Sequence, residues 1–156
     1  MNTSDLDALR ELVRSHRQAT LAVSANDEPF TAMVSYAISE ARQSVAFLIH
    51  LSNLSAHKKQ LLTNPKCSLL IAEPDDGRAE VMSLARVALN GNAIKLNKET
   101  PEYAEAKAAF LAKLPTSEMM FALADFDLFC IVPTSGRFIA GFGRAFGLST
   151  DDLERL

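Results

Sequence analysis

Seven short segments of strand-forming, mostly apolar residues follow one another along this chain, and most of the links between them are short. Consecutive strands with short links pair antiparallel, since a parallel pair needs a long crossover. Closing such a sheet into a barrel buries one face and leaves no long free edge. We therefore expect a mainly β fold, a closed or partly closed antiparallel barrel of six or seven strands with flanking helices. The predicted strands are residues 20–25, 30–38, 44–51, 67–73, 80–96 with an interruption at Gly91, 126–133 and 137–142.

Helix start and stop signals occur between and outside these strands. Thr100 followed by Pro101 and Glu102 is a strong helix start, and Pro115 ends that helix. The other predicted helices are a first helix capped by Ser4, a short one capped by Ser52 or Ser55 and ended by Asn64-Pro65, a further turn at residues 118–124, and a terminal one capped by Ser149 or Thr150.

Composition limits the class of protein. The chain has 156 residues and nearly half are apolar, which suits one domain over residues 1–156. The formal net charge of −3 argues against a dedicated nucleic-acid binder, whose affinity depends on clustered Lys and Arg. No apolar run approaches the roughly 20 residues that cross a bilayer, and the polar start is unlike a secretory signal. We expect a cytoplasmic protein with no membrane or nucleic-acid partner.

Histidines and cysteines give no metal-binding pattern. His16, His50 and His57 show no i, i+4 spacing, and no CxxC motif is present. His16 falls near the end of the first helix, where it complements the helix dipole. Cys67 and Cys130 lie in apolar segments, which is typical of buried reduced thiols.

The segment Ser52–Lys59 joins a strand end to a helix start and carries hydroxyls, an imidazole and two ammonium groups. Unpaired N–H groups of a first helical turn bind anions readily, so this segment is a candidate phosphate site. A capped surface helix with solvated lysines explains the same residues. Arg86, between apolar neighbours, and Arg144, near the end of the chain, are either ligand contacts or surface cations.

Four segments in order resemble a known family. They are EPFTAMVSYAI at 28–38, LSNLSAHKKQLLTNPKCSLLI at 51–71, RVALNGNAIKL at 86–96 and ADFDLFCIVPTSGRFIAGFGRA at 124–145. The chain resembles the pyridoxamine 5′-phosphate oxidase-like superfamily of FMN-binding split barrels, and within it the haem-utilisation branch. The resemblance implies a six-stranded antiparallel split barrel that forms a homodimer, with two FMN sites at the interface.

The resemblance also implies site residues by position. Ala32, Met33 and Val34 would lie along the flavin ring through their backbone groups. The next contacts would be His50, Leu51 and Ser52, at the end of the next strand. His57 and Lys58 would contact the FMN phosphate, with Arg86 as a further polar contact. The partner chain would close the pocket with Phe138 and with Arg144, which would bind substrate.

Departures from the family pattern leave the function open. Ala32 stands where vitamin oxidases carry an arginine, and the helix at 103–115 offers Tyr103 without the arginine and serine that grip the substrate phosphate. Haem-degrading relatives tend to carry a histidine after the GFG motif, and no histidine follows His57. The resemblance implies an FMN-dependent oxidoreductase for a small substrate. The alternatives are a haem-binding or haem-utilisation protein and a non-catalytic flavin binder.

Overall fold

The computed structural model describes residues 1–40 and 45–156 as one curled antiparallel sheet with helices packed outside it. Within these residues the elements are α1 (Thr3–Ser15), β1 (Gln18–Ala25), β2 (Glu28–Ser35), β3 (Ala37–Ser39), β4 (Ala46–Ser52), α2 (Ala56–Thr63), β5 (Lys66–Ala72), β6 (Arg86–Lys95), α3 (Pro101–Lys113), α4 (Glu118–Phe121), β7 (Phe126–Ile139), β8 (Ala145–Leu148) and α5 (Thr150–Glu154). The expected mainly β split barrel is confirmed.

Strand order shows how the sheet closes. The hydrogen-bonded order is β2-β1-β5-β6-β7-β4-β3, with β8 added to β7. β2 and β3 therefore lie at opposite ends of the order, although only Tyr36 separates them in the chain. The sheet has to curl until its ends meet at that residue. Tyr36 is 1% exposed, and its hydroxyl donates a hydrogen bond to the Val13 carbonyl at 2.7 Å.

The strand count differs from the six that the resemblance implies, since the described residues form eight strands. Tyr36 divides the predicted strand 30–38 into β2 and β3, and β8 returns along β7 after a turn containing Gly141 and Gly143, both at positive φ. The predicted start of the third strand at Ser44 lies outside the described residues.

β7 is one strand of 14 residues where the sequence predicts two strands and a turn. The residues Thr134-Ser135-Gly136 stay extended because a bulge takes up the extra residue. Asn90 pairs with Ser135 and Gly91 with Pro133, which leaves Thr134 between them. A side chain at Gly91 would place its Cβ 2.6 Å from the Val132 carbonyl oxygen, so the close approach of the two strands requires glycine.

Helix caps and one extended segment also depart from the prediction. Asn2, and not Ser4, caps α1 by accepting the Asp5 N–H. The segment predicted as extended from residue 80 begins with a 3₁₀ turn at Val81–Ser83, and β6 starts at Arg86. The cap of α3 at Thr100 is confirmed.

Two apolar cores hold these elements together. The larger fills the barrel and includes Leu9, Leu21, Phe47, Leu69 and Phe138. The second lies between α3 and the outside of β3, β4 and β7 and is built on Leu48, Phe110, Leu128 and Cys130. α3 covers that half of the sheet, whereas Met33 and Leu70 on the outside of β2 and β5 stay exposed in the part of the chain that the structure describes. None of the described helices is long and apolar enough to cross a membrane.

Candidate functional site

The middle of the uncovered side of the sheet carries no charge, and Lys66, Arg86 and Arg137 lie at its margins. We call its eight uncharged residues the outer face. Side chains alternate along a strand, so paired residues of four strands line up in rows. The first row is Met33, Thr20, Leu70 and Ala88, and the second is Thr31, Ala22, Ser68 and Asn90. Met33 is 76% exposed and Leu70 is 41% exposed. Exposed apolar residues on a surface without charge are typical of an interface or a ligand site.

A groove of about 530 Å³ runs along one end of the outer face. We call it the outer groove. Its lining residues are 15–20, Met33, Leu70 and 72–74. Met33, Leu70 and Ala72 provide apolar surface, while His16 and Arg17 provide an imidazole and a guanidinium. The carboxylate of Glu73 is already engaged, by Arg78 at 3.3 Å and by the Ala85 N–H at 2.9 Å.

The α1–β1 link holds the polar wall of the groove in place. Tyr36 donates its backbone N–H to the Arg17 carbonyl at 3.0 Å, and its hydroxyl binds the Val13 carbonyl one helical turn earlier. The His16 ring contacts the Leu12 carbonyl through Nδ1 at 2.8 Å. Both ends of the link are therefore fixed, and among the described residues no carboxylate lies within ion-pair distance of the Arg17 guanidinium.

Among the residues that the resemblance assigns to the flavin ring, only Met33 lines the outer groove. The Val34 side chain is 5% exposed and belongs to the barrel core, and Ala32 is half-buried. This alternation follows from the period of the strand. A contact through the backbone of β2 stays a prediction for these residues.

The second predicted group, at the end of β4, lies under α3 and α4. His50 packs against Phe110, Phe121 and Phe126, and its ring stacks on Phe121 with centroids 3.8 Å apart. Neither ring nitrogen has a hydrogen-bond partner among the described residues. Burial, with a contribution from Lys98, lowers the pKa of His50 to about 4. Of its neighbours, Leu51 is buried, and Ser52 donates to the Asp125 carboxylate at 2.9 Å.

Lys58, the predicted phosphate contact, points into the protein. Its side chain is 1% exposed, and Nζ lies 2.8 Å from the Asp127 carboxylate, 2.5 Å from Asn53 Oδ1 and 3.2 Å from the Asp125 carbonyl. Lys95 also pairs with Asp127, at 2.9 Å. Burial alone would raise the pKa of Asp127, but the hydrogen bonds from Lys58 and Lys95 outweigh it and lower that pKa. An ammonium group with these partners offers no donor to a phosphate.

His57, the other predicted phosphate contact, stays partly exposed on α2. Its ring is stacked near Phe30 with centroids 6.5 Å apart, and burial lowers its pKa. The capping residue Ser55 makes no side-chain hydrogen bond to the first turn of α2. The first-turn N–H groups therefore have no side-chain cap.

The remaining predicted residues lie near the far end of β6 and β7. Arg86 donates to the carbonyls of Met82 and Leu84 at 3.0 and 2.9 Å. Phe138 is 0% exposed inside the barrel of its own chain, and its contact with a partner's pocket stays a prediction. Arg144 pairs with the buried Asp5 of α1 and not with the acidic tail that the sequence offered as its alternative partner.

The family model for pyridoxamine 5′-phosphate oxidase matches residues 6–140. The chain belongs to this family. The non-canonical haem oxygenase HOZ of Arabidopsis thaliana is 34% identical over 99 residues, covering 64% of this chain and 29% of that protein. The haem oxygenase HutZ of Vibrio cholerae is 26% identical over 135 residues, covering 86% and 76%.

A solved structure supports the same fold. A haem-binding protein from Mycobacterium smegmatis superposes with a TM-score of 0.85 at 23% identity, over 99% of this chain and 61% of that one. This family member therefore spans less than a third of HOZ and about three-fifths of the mycobacterial protein. The resemblance read from the four segments is confirmed.

Sequence reasoning missed the outer groove of this family member. His16 and Arg17 follow a helix, and nothing in their spacing connects them with Met33, Leu70 or Ala72. The sequence did predict that His16 lies near the end of the first helix, and its location at the end of α1 is confirmed. The alternation of β1, β2 and β5 was the available signal, because it marks Thr20, Met33 and Leu70 as residues of one face.

Replacing Lys58 should destabilise the fold. We expect Lys58→Met to lower the free energy of unfolding by about 3 kcal/mol. This value is at the lower end of the usual cost of breaking a buried ion pair, because Asp127 keeps Lys95 as a partner. Urea unfolding measures this change. Lys59→Met, on the exposed side of α2, is the matched control and should stay within about 0.5 kcal/mol of wild type. A stable Lys58→Met protein would contradict the structural role.

His50 should make stability depend on pH between about 6.5 and 4. In that window the unfolded imidazole binds a proton while the folded one resists it, so stability falls as the pH falls. One such proton corresponds to a slope of at most about 1.4 kcal/mol per pH unit. His50→Leu should flatten the slope measured by urea unfolding at several pH values. His57 also has a lowered pKa, and the variant His57→Gln measures its contribution to the pH dependence of stability. An unchanged slope in His50→Leu would refute the role of His50 in that dependence.

Proposed function

We propose that this protein binds haem in the outer groove and acts in haem utilisation as a homodimer. The observation that carries the proposal is the set of donors in one groove: apolar side chains for the faces of a macrocycle, a guanidinium for a carboxylate, and an imidazole for iron. Haem brings most of the iron's donors in its own ring, so one protein ligand is enough. Among the described residues no group of three or more metal-ligating side chains is present for a bare ion.

The roles of the chain follow from these contacts. Met33, Leu70 and Ala72 would pack on the porphyrin and exclude water from it. Arg17 would pair with a propionate, since its guanidinium has no carboxylate partner among the described residues and can form a bidentate pair. When bound, haem supplies an iron centre for dioxygen or electron-transfer chemistry. The names of the relatives HOZ and HutZ support a haem oxygenase activity as the finer form of the proposal.

FMN is the second candidate cofactor, with electron transfer between a nicotinamide donor and a small acceptor as its chemistry. Membership of the family favours it, and so do the first turn of α2, free of a side-chain cap, and the partly exposed His57. Against it, Lys58 has only protein partners, and Ala32 provides no charge for the phosphate. The predicted FMN residues are also spread over three separate regions of this chain. We therefore propose haem, ahead of FMN, as the cofactor of this protein.

The absorbance spectrum of the purified protein separates the two cofactors. Titration with ferric haem should give a saturable Soret change with one haem per chain, and the protein should show no flavin bands after incubation with FMN and desalting. Arg17→Glu should lower the affinity for haem by tenfold or more, because it replaces a charge-assisted hydrogen bond to the propionate with repulsion between two carboxylates. Lys59→Glu, on the exposed side of α2, is the charge-reversal control. Retained FMN together with no Soret change would reverse the order of the candidates.

The outer face supports the homodimer. Its eight residues carry no charge, and its first row continues directly into the outer groove through Thr20, Met33 and Leu70. A second copy seated on this face would close the groove and remove bound haem from water. A two-fold axis would make the two contacts identical and give two equal sites.

A substitution on the outer face should therefore separate the copies. Light scattering of the wild-type protein should give twice the chain mass of 17.0 kDa, and Leu70→Glu should give the monomer mass. Burying an unpaired carboxylate at an interface is costly, which is the reason for the expected loss. Leu62→Glu, an exposed leucine on α2, is the matched control and should remain a dimer. A monomeric wild type at micromolar concentration would refute the proposed assembly.

A further inference from the structure

We infer that His16 is the protein ligand to the haem iron, bound through Nε2 and oriented by the Leu12 carbonyl. The inference rests on the proposed haem site and adds the one residue that fixes the iron in it. His16 lines the outer groove beside Arg17, so an iron ligand and a propionate partner are consecutive in the chain. Neither the family resemblance nor the spacing of the histidines assigns this residue.

The hydrogen bond of Nδ1 determines which nitrogen is available. Nδ1 lies 2.8 Å from the Leu12 carbonyl oxygen and 3.0 Å from the Ser15 hydroxyl oxygen. The carbonyl can only accept and the hydroxyl can accept as well, so both contacts are satisfied when Nδ1 carries the proton. In the neutral ring Nε2 then keeps the lone pair that binds a metal. Among the described residues no hydrogen bond is made to Nε2. This arrangement, with the second ring nitrogen donating to a carbonyl, is the usual one for metal-bound histidine and fixes the orientation of the ring.

The local fold explains why the ring is held this way. α1 ends at Ser15, and the carbonyls of its last turn lack the N–H partners that a longer helix would provide. His16 leaves the helix in an extended conformation, at φ −82° and ψ 160°, and its side chain turns back to the Leu12 carbonyl. Tyr36 fixes the next residue by donating its N–H to the Arg17 carbonyl. The imidazole is therefore oriented before any ligand binds.

The other two histidines do not line the groove. Both nitrogens of His50 are buried among aromatic rings under α4, and an iron atom could reach them only after those rings moved. His57 lies on α2 with its ring against Phe30. On the groove wall, the Glu73 carboxylate is engaged by Arg78 and by the Ala85 N–H. The thioether of Met33 is 76% exposed, and no hydrogen bond from the described residues orients it. Imidazole is the commoner ligand, so we assign the iron to His16 and porphyrin contact to Met33.

Spectroscopic titration of the full chain with ferric haem tests the assignment, with wild type, His16→Gln, Met33→Leu and His57→Gln compared. His16→Gln keeps a side chain that can donate to the Leu12 carbonyl, and a thermal melt checks that it folds. We expect this variant to lose the wild-type Soret position and at least tenfold in haem affinity, and added imidazole to restore the wild-type spectrum. His57→Gln and Met33→Leu should keep the wild-type Soret position.

The outcomes separate this inference from the proposed function. A wild type that does not bind haem refutes both. A wild type that binds haem with an unchanged Soret position in His16→Gln refutes only the ligand assignment and leaves the haem site intact. Loss of the wild-type spectrum in Met33→Leu but not in His16→Gln would identify the Met33 thioether as the iron ligand and overturn the inference. A His16→Gln protein whose lost signal imidazole does not restore would also overturn it, because the residue would then act only in folding.

Discussion

The two hydrogen bonds of Tyr36 hold together the part of the molecule on which the candidate site depends. The ring hydroxyl binds the last turn of α1, and the backbone N–H binds the link to β1. At the same residue β2 ends and β3 begins, so the closure of the curled sheet and the position of the α1–β1 link are fixed together. Burial raises the pKa of Tyr36, which keeps its hydroxyl protonated as a donor. His16 and Arg17 are presented to the outer groove because this junction is rigid.

A second buried interaction explains why the predicted phosphate site does not form as expected. Lys58 is at the helix start that the sequence marks, but Asp127 enters β7 directly beneath it and binds the ammonium group. Asp127 in turn takes Lys95 as a second partner. A buried lysine needs such a partner, since its charge cannot be left unpaired in the interior. The charge that the family resemblance assigns to a ligand is thus used within the fold, and the cations that remain for a ligand lie elsewhere.

Much of the fold could be predicted because it depends on local pattern. Alternating apolar residues located most strands, and Thr100-Pro101 located α3. The errors occurred where a distant residue decided the outcome. The turn signal Thr134-Ser135-Gly136 was overridden because Asn90 and Gly91 on β6 absorb the extra residue as a bulge. Of the predicted flavin residues, Met33 lines the outer groove and Phe138 lies in the core.

The sequence by itself determined the class of fold, the family and the caps of α3 and α5, since these follow from periodicity, from turn chemistry and from motifs that lie within short stretches. Only the tertiary structure decided which residues share a surface. His16, Arg17, Met33, Leu70 and Ala72 belong to three separate stretches of the chain, and strand register brings them to one groove. Register depends on pairing between distant segments and on the direction of sheet curl, and neither is encoded in the neighbours of any one residue.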